Sequence, residues 1–277
     1  MIDIGQYNEL KVLRSTSVGL YLGDDEGEDV LLPKKYVSPT FAIGDTLKVF
    51  VYKDGQHRKV ATTLQPKILL HQFAYLRVTH VNTFGAFLDW GMEKELFVAF
   101  REQPKRMEAG RSYVVWMYHD EESDRLAASG DVSYFLDTQA VTVKEGDEVD
   151  VLIWEATELG YNVIINHRHK GLIYYNELYH KVQIGDARKG YVKQVRPDKK
   201  IDILLHRTGH EQIEPNAQFV LQKLKAAGGF LPLTDHSSPE LIIQHLEMSK
   251  KNFKKAIGSL YKQRLIRLAE EGIYSVS

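Results

Sequence analysis

The stretch Thr83-Phe84-Gly85-Ala86-Phe87-Leu88-Asp89-Trp90 reads as a β-strand with a glycine set between two phenylalanines. Side chains alternate across a strand, so a regular pleat sends residues 84 and 87 to opposite faces. A bulge at Gly85 predicts the other outcome, with both rings on one face of a strand bent as a small barrel needs. Working outward, a glycine ahead of an alternating apolar strand recurs four times. The copies are Gly44-Asp45-Thr46-Leu47-Lys48-Val49, Gly110-Arg111-Ser112-Tyr113-Val114-Val115, Gly146-Asp147-Glu148-Val149-Asp150-Val151 and Gly185-Asp186-Ala187-Arg188-Lys189-Gly190. Many short strands with turn signals between them predict small all-β barrels in series. Pro66 and the run Ile68-Leu69-Leu70 separate a first barrel from a second, and residues 137–145 separate the second from a third.

The last seventy residues change period. Pro215 opens a helix with apolar residues Phe219, Val220 and Leu224 that stops at Gly228-Gly229. Ser238-Pro239 opens a second, with an apolar face of Leu241, Ile242 and Leu246. Ser249 caps a third, where Phe253, Ala256, Ile257, Leu260 and Tyr261 share one stripe. The tail then alternates through Leu265-Ile266-Arg267-Leu268, turns at Glu270-Glu271-Gly272 and returns as Ile273-Tyr274-Ser275-Val276. Three helices and a hairpin in this order predict a winged helix. The expected division is 1–65, 66–137 and 138–211 for three barrels and 212–277 for the winged helix.

Composition sets the outer limits. Of 277 residues, 43% are apolar and 26% charged, enough for real cores and too balanced for a disordered chain. No run approaches the ~18 apolar residues of a membrane span, and Met1-Ile2-Asp3-Ile4-Gly5 lacks the basic and apolar regions of an export signal, so a cytoplasmic protein is expected. The absence of cysteine excludes disulfides, thiolate metal sites and cysteine nucleophiles. The net charge of -1 conceals a split. Residues 1–160 hold 17 Lys and Arg against 26 Asp and Glu, whereas residues 161–277 hold 19 against 11. A basic back half is the electrostatic footprint of a polyanion contact. In the third helix Lys250, Lys251, Lys254, Lys255, Lys262 and Arg264 meet no acid between Ser249 and Leu268. Lysines at a helix N-terminus oppose the macrodipole, and a docked phosphate accounts for them.

Other constellations carry no chemistry. His167-Arg168-His169 lacks a third metal ligand and is expected to be a turn or a basic loop facing the polyanion. The acids of Asp24-Asp25-Glu26-Gly27-Glu28-Asp29 lack calcium-loop spacing and read as a solvated hairpin tip. No phosphate loop, dinucleotide fingerprint or nucleophile elbow occurs, and His119-Asp120-Glu121-Glu122 has no nucleophile. Neither catalysis, metal nor cofactor is expected. Trp90, Phe97, Phe100, Trp116 and Trp154 are expected in cores, and of Tyr174 and Tyr175 one should face in and one out.

The Phe-Gly-Ala-Phe strand, the segment Lys170-Gly171-Leu172-Ile173-Tyr174-Tyr175-Asn176-Glu177, the segment Gly190-Tyr191-Val192-Lys193 and the closing Arg125-Leu126-Ala127-Ala128-Ser129 together resemble the S-one repeat, an OB-type five-stranded RNA-binding barrel. The order of parts resembles the bacterial conserved virulence factor B family. The resemblance is strong in the second and third barrels and at the C-terminus, and weak in the first. It implies a mainly β chain of three tandem S-one-like barrels with a C-terminal α+β winged helix. It also implies that bases meet two aromatics and a histidine while an Asp/Arg pair meets the backbone. Phe84, Phe87 and Arg125 match in the second barrel, with Val98 at the histidine position. The first barrel has Val18 and Tyr21, with Leu32, Pro33 and Lys34 in place of the polar signature. The third has Leu159 and Asn162, with Tyr174 at the histidine position and Lys200 near the arginine position.

The expected function is a non-catalytic, gene-regulating binder of single-stranded RNA. Its surface should comprise Phe84, Phe87 and Arg125, Lys170, Tyr174, Lys193, Arg196, Lys199 and Lys200 of the basic third barrel, and Lys250, Lys251, Lys254 and Lys255 of the third helix. The rivals are a duplex-DNA regulator using the winged helix and a protein-interaction adaptor.

Overall fold

The computed structural model describes residues 1–24, 26–178, 181–206 and 215–276. The first barrel contains β1 (Gln6–Thr16), β2 (Gly19–Gly23), β3 (Asp29–Pro33), β4 (Thr46–Lys53) and β5 (Lys59–Thr62). The second contains β6 (Phe73–Val81), β7 (Gly85–Asp89), β8 (Leu96–Ala99), β9 (Ser112–Asp120) and β10 (Arg125–Ser129). The third contains β11 (Glu148–Ala156), β12 (Gly160–Ile165), β13 (His169–Tyr174), β14 (Ala187–Val195) and β15 (Ile201–Leu204). Each sheet closes in the same order, its first three strands in sequence, then the fifth, then the fourth. The fifth strand runs parallel to the third, as at Leu31–Val60, Phe97–Ala127 and Gly171–Ile201.

The bulge lies elsewhere than at Gly85. In every barrel the first strand carries it, leaving Leu13, Thr79 and Trp154 unopposed by β2, β7 and β12. Beside each bulge the backbone closes onto a glycine turn. The N–H groups of Gly44, Gly110 and Gly185 donate to the carbonyls of Val12, Val78 and Ile153, each at 2.8 Å. These glycines therefore occupy one repeated position with positive φ. The fourth sequence copy, Gly146, instead precedes β11 and bonds to Val192. A second repeated glycine begins each second strand. A side chain on Gly19, Gly85 or Gly160 would overlap the carbonyl oxygen of Leu32, Val98 or Ile173 on the next strand.

Neighbouring barrels meet along buried seams. Ile68 is buried in the second barrel's core and Leu69 packs against it, so the run read as a separator is a seam. Phe73, Val114, Val132 and Leu136 form another seam with Leu152 and Ile164 of the third barrel. His167 completes it: its Nδ1 accepts the Phe73 N–H at 3.0 Å. His167 and Arg168 lie in the β12–β13 turn and His169 opens β13, and the turn faces the second barrel. Arg168 pairs with Asp137 at 3.0 Å, and buried His169 meets the Thr142 hydroxyl at 2.7 Å.

Burial holds the His167 imidazole below its ordinary 6.5, with the Asp150 charge opposing. The neutral ring is the one that accepts from Phe73. Its stabilisation is therefore full above pH 6.5 and declines as pH falls through the lower folded value. Melting temperature should fall between pH 7.5 and 5.5, and His167→Asn, which tolerates the positive φ of 53° at this position, should flatten that fall. An identical pH slope in both proteins would place the titration elsewhere.

The C-terminal module comprises α1 (Pro215–Ala226), β16 (Phe230–Leu231), α2 (Pro239–Leu246), α3 (Lys250–Lys262), β17 (Ile266–Ala269) and β18 (Gly272–Ser275). The Ser238 and Ser249 side chains accept from the N–H groups of Leu241 and Asn252, as helix caps do. The core joins Val220, Leu224, Ile242, Leu246, Phe253, Ala256, Ile257 and Leu260. Leu241 and Tyr261, expected in the apolar stripes, are exposed instead, one residue out of phase with their buried neighbours. The short strand β16 adds a third strand to the wing that the sequence pattern did not reveal. The expected boundary at 211/212 lies outside the described residues, as does Asp25 of the acidic hairpin tip. No described helix is long and apolar enough to cross a membrane.

Candidate functional site

One face of the second barrel carries a row of rings. Past the bulge at Thr79 the register pairs His80 with Phe87, and Phe87 with Phe97. His80 and Phe87 lie parallel at 4.5 Å between centroids, and Phe97 follows at 5.1 Å. Phe84 sits just outside β7, in a turn where its N–H donates to Asn82 Oδ1 at 2.8 Å. Strict alternation does not apply there, so Phe84 and Phe87 line one cleft together without a bulge at Gly85. Phe84 is 72% exposed and Phe87 half-buried. Arg125, the first residue of β10, lines the same cleft of about 910 Å³.

The expectation that Phe97 and Phe100 are core residues fails. Both are half-buried: Phe97 joins the ring row and Phe100 lies under the Arg106 guanidinium at 3.6 Å. Trp116 and Trp154 are also half-buried, packed at the second seam, whereas Trp90 is a core residue. Sequence reasoning missed His80 and Phe97. For His80 the missing signal was the bulge on β6, and for Phe97 it was the β7–β8 register.

In the other barrels Val18 and Leu159, at the Phe84 position, are exposed, but the positions of His80 and Phe87 are closed by their own side chains. In the first, Arg14 lies over the Tyr21 ring at 4.0 Å and pairs with Asp29 at 2.7 Å. In the third, buried Asn162 donates to Glu155 Oε2 at 2.9 Å. Of the third barrel's cations, Lys193 pairs with Glu177, Lys200 with Asp198 at 2.9 Å, and Arg196 with the buried Asp202 at 2.9 Å. Arg196 also donates to the Tyr174 hydroxyl. Asp202 and Tyr174 raise the guanidinium's affinity for its proton still further. Lys199 donates to the Gln139 carbonyl at 3.0 Å, and Lys170 lies over Trp154 at 5.3 Å. Tyr174 is half-buried and Tyr175 exposed, so both reach the surface rather than one facing in.

In α3 the stripe of Phe253, Ala256, Ile257 and Leu260 turns inward, which leaves Lys251, Lys254 and Lys255 exposed and Lys250 half-buried beside the cap. Lys250 Nζ reaches the His236 carbonyl at 3.4 Å. The first turn of α3 holds no acid. The structure thus gathers Phe84, Phe87 and Arg125 at one place and the α3 lysines at another, and engages the third barrel's cations internally.

Comparison with known proteins meets this architecture part by part. The CvfB-like winged helix domain matches residues 218–274, and the S1 domain, the S-one repeat, matches residues 4–64 and 72–131. Conserved virulence factor B of Staphylococcus epidermidis is 25% identical, over 96% of this chain and 92% of that protein. The chain carries S1 domains and a CvfB-like winged helix domain, and is similar to conserved virulence factor B along nearly its whole length. YitL of Bacillus subtilis is 26% identical, over 93% of this chain and 89% of that one. A solved multidomain protein with nucleic acid binding domains from Streptococcus pneumoniae is 24% identical, covers 99% of this chain and 98% of that one, and superposes with a TM-score of 0.42. The first barrel, which resembles an S-one repeat least in sequence, is matched by the S1 domain. The third shares the topology but lies outside the matched residues.

Proposed function

We propose that this relative of conserved virulence factor B is a non-catalytic nucleic-acid-binding protein that takes single-stranded RNA and acts in the cytoplasm on gene expression after transcription. The observation that carries the reading is the ring row of His80, Phe87 and Phe97, with exposed Phe84 and Arg125 beside it. Rings at a surface favour unpaired bases, whose faces are free to stack, over a duplex whose faces are already stacked. The lysines of α3 supply the second element, neutralising phosphates without reading sequence. The S1 domains and the winged helix support the same class of partner.

Within the barrels, the second offers the stronger surface. A strand on the third barrel would compete with carboxylates for Lys193, Arg196 and Lys200. The duplex-DNA alternative would place α3 in a major groove, but that helix exposes lysines with a single amide, Asn252, rather than a base-reading set.

The test is competition between single-stranded RNA and duplex DNA for the full chain at two salt concentrations. RNA should win at both. Phe87→Ala should weaken RNA binding about tenfold, in keeping with roughly 1–3 kcal/mol per stacked base, and leave duplex binding unchanged. Preference for duplex, or equal loss on both ligands, would sink the single-strand reading.

A further inference from the structure

The cleft containing Phe84 and Phe87 has two walls, and one belongs to the first barrel. That wall is the end of β4 and the turn that follows it, including Asp54 and Gly55. It is anchored at both levels. Lys53 donates to Asp124, next to Arg125, at 2.6 Å. Deeper in β4, Phe50 is fully buried edge-on to Trp90, with ring centroids 5.8 Å apart, inside the second barrel's core. The two barrels therefore frame the cleft as one unit.

The lining chemistry points to the occupant. Every acid of the cleft wall is already engaged: Asp54 by Arg58, Glu93 by Lys35, Glu95 by His80 and Asp120 by Ser123. Lys94 and Arg125 have no carboxylate partner among the described residues. Phe84, Phe87 and Phe97 supply the apolar surface. Rings inside and two unpaired cations suit bases that enter the cleft while their phosphates stay with the cations.

We infer that the β4–β5 turn of the first barrel is the second wall of the second barrel's site, so that a single RNA strand is held between the two barrels. The inference rests on the single-strand reading above. It gives the first barrel a role in binding although its own ring position is occupied by Arg14 and Tyr21. Gly55 sits where a wedge can test it. The residue is exposed, lies outside the positive-φ region, and a Cβ there would meet only Lys94 Nζ at 2.8 Å, the mobile end of a long side chain.

The experiment measures binding of a fluorescein-labelled mixed-sequence RNA single strand to the full chain. Gly55→Trp fills the cleft from the first barrel without altering any residue of the second. Gly55→Leu serves as a smaller wedge if the tryptophan protein does not fold. Ile43→Trp, at an exposed site of the first barrel outside the cleft, is the control. Gly55→Trp should weaken binding about tenfold, the loss expected when one stacked base is shut out, with Ile43→Trp near wild type. Wild-type affinity in both Gly55 variants, or an equal loss in Ile43→Trp, would overturn the inference. Phe87→Ala separates the two levels. If it weakens binding while the Gly55 variants do not, only the second wall is wrong. If neither change matters, the barrel-face reading itself fails.

Discussion

Replacing Lys250, Lys251, Lys254 and Lys255 with alanine should lower affinity for single-stranded RNA about a hundredfold near physiological salt, similarly for every sequence tested. The fold should survive. Lys251, Lys254 and Lys255 are exposed and Lys250 is half-buried beside the cap, the core stripe of α3 is untouched, and alanine favours helix at least as well as lysine. Removing four like charges from the N-terminal part of a helix also relieves an unfavourable arrangement with the macrodipole, so melting should hold or rise slightly. The decisive readout is salt. Every phosphate left without its lysine should reduce the slope of log affinity against log salt by about 0.7, so the variant's slope should be shallower by nearly 3 if all four lysines meet phosphates. An unchanged slope, with helix content intact by circular dichroism, would move the electrostatic surface to the barrels. A loss confined to one duplex sequence would favour a groove-reading winged helix.

The barrels and the helices were legible because their signals are local. Alternation around Gly44, Gly110 and Gly185, and serine caps ahead of 3.6-residue stripes, depend on neighbours within a few residues. The seams were not legible. Phe50, Phe73, Leu152 and Ile164 look like ordinary strand residues, and alternation does not say whether the outward face meets water or another barrel. The ring row was half legible for the same reason. Phe84 and Phe87 stood out by their spacing around a glycine, but His80 and Phe97 reach them only through cross-strand register, set by a bulge on β6 for His80 and by the regular β7–β8 pairing for Phe97. The internal pairing of the third barrel's cations was not legible either, because it is partly long-range. Glu177 and Lys193 lie sixteen residues apart and meet only because the sheet closes.

Phe50→Ala should be the most damaging single truncation at the first seam. Strand β4 is buried on both faces. Val49 and Val51 enter the first barrel's core, and Phe50 between them enters the second's, edge-on to Tyr7 at 6.0 Å and to Trp90 at 5.8 Å. Deleting a fully buried phenylalanine costs about 3–5 kcal/mol, because its packing disappears and the surrounding frame relaxes only in part. That cost falls on the coupling between barrels as much as on either barrel. Urea unfolding should therefore split, with the first barrel unfolding at lower denaturant than the second. Leu22→Ala, in the interior of the first barrel alone, should destabilise that barrel by about 2–5 kcal/mol while leaving the seam in place. Tryptophan emission follows the seam directly, since Trp90 sits on it and its indole N–H is held by the Lys94 carbonyl at 2.6 Å. A red shift in Phe50→Ala before any unfolding, absent in Leu22→Ala, would mark an opened seam. A single unfolding transition at the wild-type midpoint would show instead that the two barrels stand independently, and that the cleft between them is not a rigid frame.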